Sequence, residues 1–349
     1  MKYSKILSIA LYSAISIFTA DAFLVKQSTV PMHSIRHRQN APLNNRNVNL
    51  GIPRGGKTML APNTKLALTF DNAPFTESLS IYAAVNALGF AISILTGSHI
   101  HLDLLGTGAF ALASLPTLFS STCLRVTLSS AAVFTWGTKL AGFLFFRALK
   151  VKTDGRLDGT LNTTSGAFGF WLLSFVWGII SSLPHTLGTT STNPGSPITL
   201  VIGGTVYLLG LATESLADYQ KWCFKNSNPG RFCNEGLWSI SQHPNFFGNL
   251  LLWSGVFIMN SDSLIESGGD GGILSIVWGA RRLMLALATP LFLWTLFSGQ
   301  ANGTITNAVE MANDKYGKIP GFQDYVKNVP KIIPNIISWM KQLLFMRNN

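Results

Sequence analysis

The chain has 349 residues, 47% of them hydrophobic and only 12% charged, a composition too apolar and too sparsely charged for an ordinary soluble domain. Its formal charge of +11 would suit nucleic acid, but the excess is local: Phe23 to Phe70 holds seven Lys/Arg and no acid, whereas residues 71–349 hold 17 Lys/Arg against 14 Asp/Glu. No bases interleaved with aromatics accompany it, which excludes nucleic acid as a partner and leaves a lipid membrane as the expected environment.

At the N-terminus, Lys2 and Lys5 precede an apolar stretch from Ile6 to Phe18, and Ala20 and Ala22 supply small residues for cleavage. Residues 1–22 therefore read as a signal peptide. Residues 23–65 are basic, free of acids and rich in Ser, Asn and Pro, as transit peptides are. A signal peptide followed by a transit peptide with Phe at its first position is similar to the bipartite leaders of secondary plastids. The other reading is a secretory signal with a basic tail, which leaves the protein in the endoplasmic reticulum membrane. The remaining segment, 66–349, is expected to hold the fold.

Along it, apolar runs recur at about 78–97, 104–122, 128–148, 166–183, 198–216, 246–261 and 276–298, each near the ~20 residues a bilayer span needs. The expected fold is all-α, a polytopic membrane bundle of about seven transmembrane helices. Such a count gathers Lys150, Lys152, Arg156, Lys221, Lys225, Arg231 and the C-terminal lysines on one face, as the positive-inside bias requires. Arg125 and the Arg281–Arg282 pair are exceptions. Cys123, Cys223 and Cys233 are odd in number and lack C-x-x-C spacing, so no disulfide framework is expected. His99-x-His101 has no further ligands at metal spacing, and no metal site is expected.

One polar segment stands out, Glu214 to Gly255, lodged between apolar runs. Glu214, Asp218, Lys221 and Lys225 follow at helical spacing and share one stripe. Solvated ion pairing along the helix would explain them, but a carboxylate beside an apolar run is costly in lipid unless it binds something. Pro244 fits the first turn of a helix and leaves backbone N–H groups free there.

The motifs in this segment, E-x-x-x-D-x-Q-K, G-R-F-C-x-x-G-L-W and H-P-N-F-F-G-N, resemble the C-terminal catalytic half of the steroid 5-alpha-reductase-like membrane proteins. They are similar in particular to a branch with E-x-x-A-D-x-Q, G-L-W and R-H-P-N-Y-F-G-E. The run from Glu310 to Pro334 resembles the closing segment of that family, and Trp136 to Arg156 is a looser match to its W-x-x-R-L pattern. The likeness covers about residues 130–335.

It implies an NADPH-dependent reductase of an activated double bond in a hydrophobic or lipid substrate, with no obligate protein partner. It also implies cofactor contacts at Glu214, Asp218, Lys225, Arg231, Trp238, His243, Asn245, Asn249, Tyr325 and Arg156. The Glu and Tyr that polarise the substrate carbonyl in the steroid enzymes have no evident counterpart, and Tyr82 and Tyr207 are the tyrosines within the expected spans. Two departures from the branch are Gln242 in place of Arg and Asn249 in place of Glu. Two alternatives stay open: an S-adenosylmethionine-dependent lipid or prenylcysteine methyltransferase, and a non-catalytic membrane protein on the same scaffold.

Overall fold

The computed structural model describes residues 73–151, 161, 163–191, 193–265, 277 and 279–345, all within the compact unit that begins at Leu66. The expectations for residues 1–22 and 23–65, and for Lys152 and Arg156, lie outside the described residues.

Among the described residues every regular element is helical. The helices are α1 (Ala73–Thr96), α2 (Leu102–Ser120), α3 (Leu124–Val151), α4 (Thr164–Thr189), α5 (Pro197–Ser227), α6 (Pro244–Ser261), α7 (Arg281–Asn302), α8 (Ala308–Tyr316), α9 (Phe322–Asn328) and α10 (Ile336–Phe345), with single 3-10 turns at Gly236–Ser239 and Asp262–Leu264. All seven apolar runs form helices. Five of these, α1, α2, α4, α5 and α7, are long and apolar enough to cross a membrane, and the chain is a multi-pass membrane protein. The polar content of the other two is what sets them apart: α3 carries Arg125, Lys139, Arg147 and Lys150, and α6 carries Asn245, Asn249 and Asn260.

Arg125, Asn249 and Asn260 among these are buried in the bundle. Helix α6 is packed by α3, α4, α5 and α7, with Asn249, Trp253 and Asn260 among its buried side chains. Its closest partner is α5, and the reason is a seven-residue repeat of glycine. Gly203 and Gly210 on α5 face Gly255 and Gly248 on α6, and a Cβ on any of the four would collide with backbone atoms of the opposite helix. Small residues at this spacing let two helix backbones approach closely, the main source of packing where lipid provides no hydrophobic drive.

The core beside this pair is aromatic. Phe110 meets Trp136 edge-on at 5.0 Å, Trp177 at 4.8 Å and Tyr82 at 5.3 Å, and Trp136 meets Trp253 at 5.0 Å. Edge-to-face pairs of this kind each add about 0.5–1.5 kcal/mol beyond area burial.

Two of the three exceptional arginines, Arg125 and Arg282, cap the end of α4. Arg125, only 2% exposed, donates to Asn260 Oδ1 at 2.7 Å and to the carbonyls of Gly188 and Asn193 at 3.1 Å. Arg282 donates to the carbonyl of Leu187 at 2.6 Å and to the Thr190 hydroxyl. Both sit on the C-terminal carbonyls of α4, where the helix dipole favours a cation. Their charge is therefore used inside the fold.

Candidate functional site

The site forms where α5 outgrows the membrane. At 31 residues the helix is about 46 Å long, against ~30 Å of hydrocarbon. Its exposed face changes from Ile198, Val201, Ile202 and Leu208 to Tyr219, so its C-terminal part carries the sequence motif towards water.

At the inner end, Glu214 is 3% exposed and fully engaged. Its Oε2 accepts from Lys139 Nζ at 3.1 Å and from Trp136 Nε1 at 3.1 Å, and its Oε1 accepts from Asn249 Nδ2 at 2.8 Å. One turn on, Asp218 pairs with the same ammonium at 3.4 Å. Lys139 thus bridges two carboxylates from across the helix interface. The expected stripe exists, but its acids pair with α3, and its lysines turn elsewhere. Lys221 lies 4.2 Å over the Trp238 ring, while Lys225 donates to Tyr316 Oη at 2.8 Å and to the Arg231 carbonyl.

The 228–243 segment wraps over this stripe. Trp238 is buried and donates from Nε1 to the Ala217 carbonyl at 2.8 Å, and its own carbonyl accepts from Tyr325 Oη at 2.8 Å. Burial pushes the Tyr325 phenol up, so it stays a donor. Gly236, at φ +56°, presses against the Gln220 side chain and has no room for a Cβ; a left-handed backbone there suits glycine. Between this loop and the end of α5 lies a recess of about 310 Å³ lined by Gln220, Phe224, Asn228, Cys233 and Glu235. Arg231 is brought to the loop but stays exposed.

His243 stands at the N-terminus of α6, its ring stacked 4.8 Å from Phe246. Burial, reinforced by the charges of Lys221 and Lys331, lowers its pKa to about 4, so it is neutral at physiological pH. Lys331 itself bonds to Asn302 Oδ1, and Lys225 bonds to a phenol. Lys225 and Lys331, on either side of His243 and the loop, therefore rest on neutral partners.

Along α6 the amides tell two stories. Asn249 is oriented by chemistry: only its NH2 can donate to a carboxylate, so Oδ1 points away from Glu214. That oxygen and Asn245 Oδ1, one turn earlier, are both buried with no partner among the described residues, and a buried acceptor left unpaired costs about 1–3 kcal/mol.

Both departures from the branch pattern carry structural work. Gln242 Nε2 donates to the carbonyls of Val329 at 2.6 Å and Val326 at 3.0 Å, and its backbone N–H donates to the Pro330 carbonyl at 2.9 Å. It straps the C-terminal segment across the loop. Asn249 supplies the proton that Glu214 accepts. The tyrosines differ as well: Tyr207 Oη is taken by the Ala132 carbonyl at 2.6 Å, whereas Tyr82 lies in the aromatic core with Ser182 as its polar neighbour.

Of the expected residues, Glu214, Asp218, Lys225, Trp238, His243, Asn245, Asn249 and Tyr325 come together around the ends of α5 and α6. Sequence reasoning missed Lys139 and gave no role to Trp136. The signal was W-G-T-K-L from Trp136 to Leu140, which holds both residues at one helical turn and a lysine where the W-x-x-R-L pattern has arginine.

No match was found among curated proteins or solved structures. A family model described as "Protein of unknown function (DUF1295)" matches residues 89–329, a stretch that includes Lys139, both carboxylates, the loop and all of α6, and the chain therefore belongs to the DUF1295 family.

Proposed function

We propose that this chain is an NADPH-dependent membrane reductase of an activated carbon–carbon double bond in a lipid of the sterol, enone or polyprenoid type. One observation carries the reading: acceptors buried at the inner end of the α5–α6 wall are followed outward by lysines with no carboxylate partner among the described residues. A dinucleotide presents the matching order, hydroxyl and carboxamide donors at one end and phosphates along its length. Asn245 Oδ1, buried and unpartnered, fits a carboxamide NH2. Asp218 fits a hydroxyl donor, and Lys221, Lys225 and Lys331 fit phosphate oxygens. NADPH when bound supplies a hydride.

The chain's own contribution is binding and orientation. Lys139 bridges Glu214 and Asp218, Asn249 and Trp136 fix the rotamer of Glu214, and Tyr82 is the hydroxyl we favour for polarising a substrate carbonyl, since Tyr207 is bonded to backbone. The relation of DUF1295 to steroid 5-alpha-reductase-like proteins points to the same class. For location, the leader composition supports a secondary plastid membrane, which a reporter fused after residue 70 tests directly.

A second reading has its own support. Glu214, Asp218 and Lys139 have a formal excess of one acid over bases, which also suits the sulfonium of S-adenosylmethionine. Thermal unfolding of the detergent-purified protein with NADPH, NADH and S-adenosylmethionine separates the two, because a ligand at 100 times its Kd stabilises by about 2.7 kcal/mol. NADPH is expected to raise Tm, and Asp218→Asn to remove most of that rise. A rise with S-adenosylmethionine alone replaces the reductase by the methyltransferase.

A further inference from the structure

The C-terminal segment reads in sequence as part of a basic aqueous tail, yet its last helix is seated against the membrane-spanning part of α5. Asn335 opens α10 by accepting from the backbone N–H groups of Ile337 and Ser338 at 3.0 and 3.2 Å, an N-cap that fixes where the helix starts. Trp339 then reaches α5 and donates from Nε1 to Thr213 Oγ1 at 3.0 Å, with its ring edge-on to Phe247 of α6 at 5.3 Å. Thr213 is about 24 Å along α5 from Pro197. It lies between Leu208 and Tyr219, before the exposed face turns from aliphatic to aromatic.

On the other side of α10, Ile336, Ile337, Met340 and Leu344 are exposed. At ~100° per residue these four fall on one continuous arc with Trp339 beyond one edge and Lys341 beyond the other, and Ser338 lies further round past Lys341. Ile333, just before the helix, is exposed as well, and Lys327, Lys331 and Lys341 flank the segment.

We propose that α10 is an in-plane membrane helix: its Ile336–Ile337–Met340–Leu344 face lies in the acyl boundary of the bilayer leaflet beside the site, and its lysines lie at the headgroups. The occupant of that face is lipid because Trp339 ties the helix to Thr213 of the membrane-spanning α5, and the four exposed side chains beside it are all apolar. Flanking lysines with an apolar opposite face are the pattern of such helices. Trp339 is the pivot, since it joins this helix to the residue preceding Glu214. The inference stands apart from the reductase reading and holds whichever cofactor binds.

The intact protein in liposomes, photolabelled with a lipid bearing a diazirine near the carboxyl end of its acyl chain, gives the test by peptide mapping. Adducts are expected on Ile336, Ile337, Met340 and Leu344 at yields comparable to those on Leu95, Val201 and Leu291 of the spans, and none on Trp339. A double variant, Ile337→Asn with Leu344→Asn, should lower the adducts on 336–345 roughly tenfold or more while leaving those on the spans unchanged. Adducts on the spans with none on 336–345 in the unmodified chain overturn the proposal, as do chain-to-chain crosslinks through α10, which would mean that a second copy covers this face.

Discussion

Single residues decide the charge state of the site. Asn249 and Glu214 are in contact at 2.8 Å, so an Asn249→Glu variant that restores the branch pattern sets two carboxylates against each other in a buried place. One lysine already serves both Glu214 and Asp218 and cannot serve a third. The expected result is a loss of about 3 kcal/mol or more, read as a fall in Tm. An unchanged Tm would show that the carboxylate cluster has another cation. His243 supplies a second check. Its folded pKa of about 4 lies below the ordinary 6.5, so the unfolded chain binds the proton more readily. Its contribution to stability is complete above about pH 6.5 and is lost as pH falls towards 4, on the order of 2–3 kcal/mol. His243→Phe should flatten the Tm-against-pH profile across that window.

Elements are held by what they lack. The glycines of α5 and α6 let two backbones touch, and neighbours on the same helix give a matched control. A Cβ on Gly210 would meet the Leu252 N–H and the Gly248 carbonyl, whereas one on Gly204 meets nothing within 4 Å. Gly210→Ala should therefore cost about 1–3 kcal/mol by overpacking. Gly204→Ala should be neutral or slightly stabilising, since alanine favours the helix by about 1 kcal/mol. Equal Tm values for the two would dissolve the close-packed seam. The same seam explains why Glu214 and Asn249 meet: helices separated by ordinary side chains would hold these short polar groups too far apart for a direct bond.

The whole molecule separates its two ends by the use made of charge. At one end Arg125 and Arg282 are sunk onto carbonyls of α4. At the other, Phe146 of α3 meets Trp222 of α5 edge-on at 5.4 Å, which brings the end carrying Lys150 beside the end of α5 that carries Lys225. Single cysteines at Lys150, Lys225 and Lys331 should react with an impermeant thiol reagent from one side of sealed vesicles, and one at Asn193 from the other. Mixed sidedness among the first three would require a different order of crossings.

Sequence by itself determined the helical membrane architecture, because apolar runs of bilayer length admit few other folds when every backbone polar group must be satisfied internally. It also singled out the Glu214–Gly255 segment as the candidate site, since buried charge is costly unless it is paired. What it could not carry were the partners. Helical spacing pointed Asp218 and Lys221 at each other, but tertiary packing gave both carboxylates to Lys139 of α3, 75 and 79 residues away. Gln242 and Asn249 read as missing charges until the strap to Val326 and Val329 and the bond to Glu214 gave each a task. The Arg125 and Arg282 exceptions to the charge pattern were resolved only by the α4 carbonyls they cap. In each case the deciding energy lies in a contact between segments far apart in the chain, and periodicity reports only the face a residue occupies on its own helix.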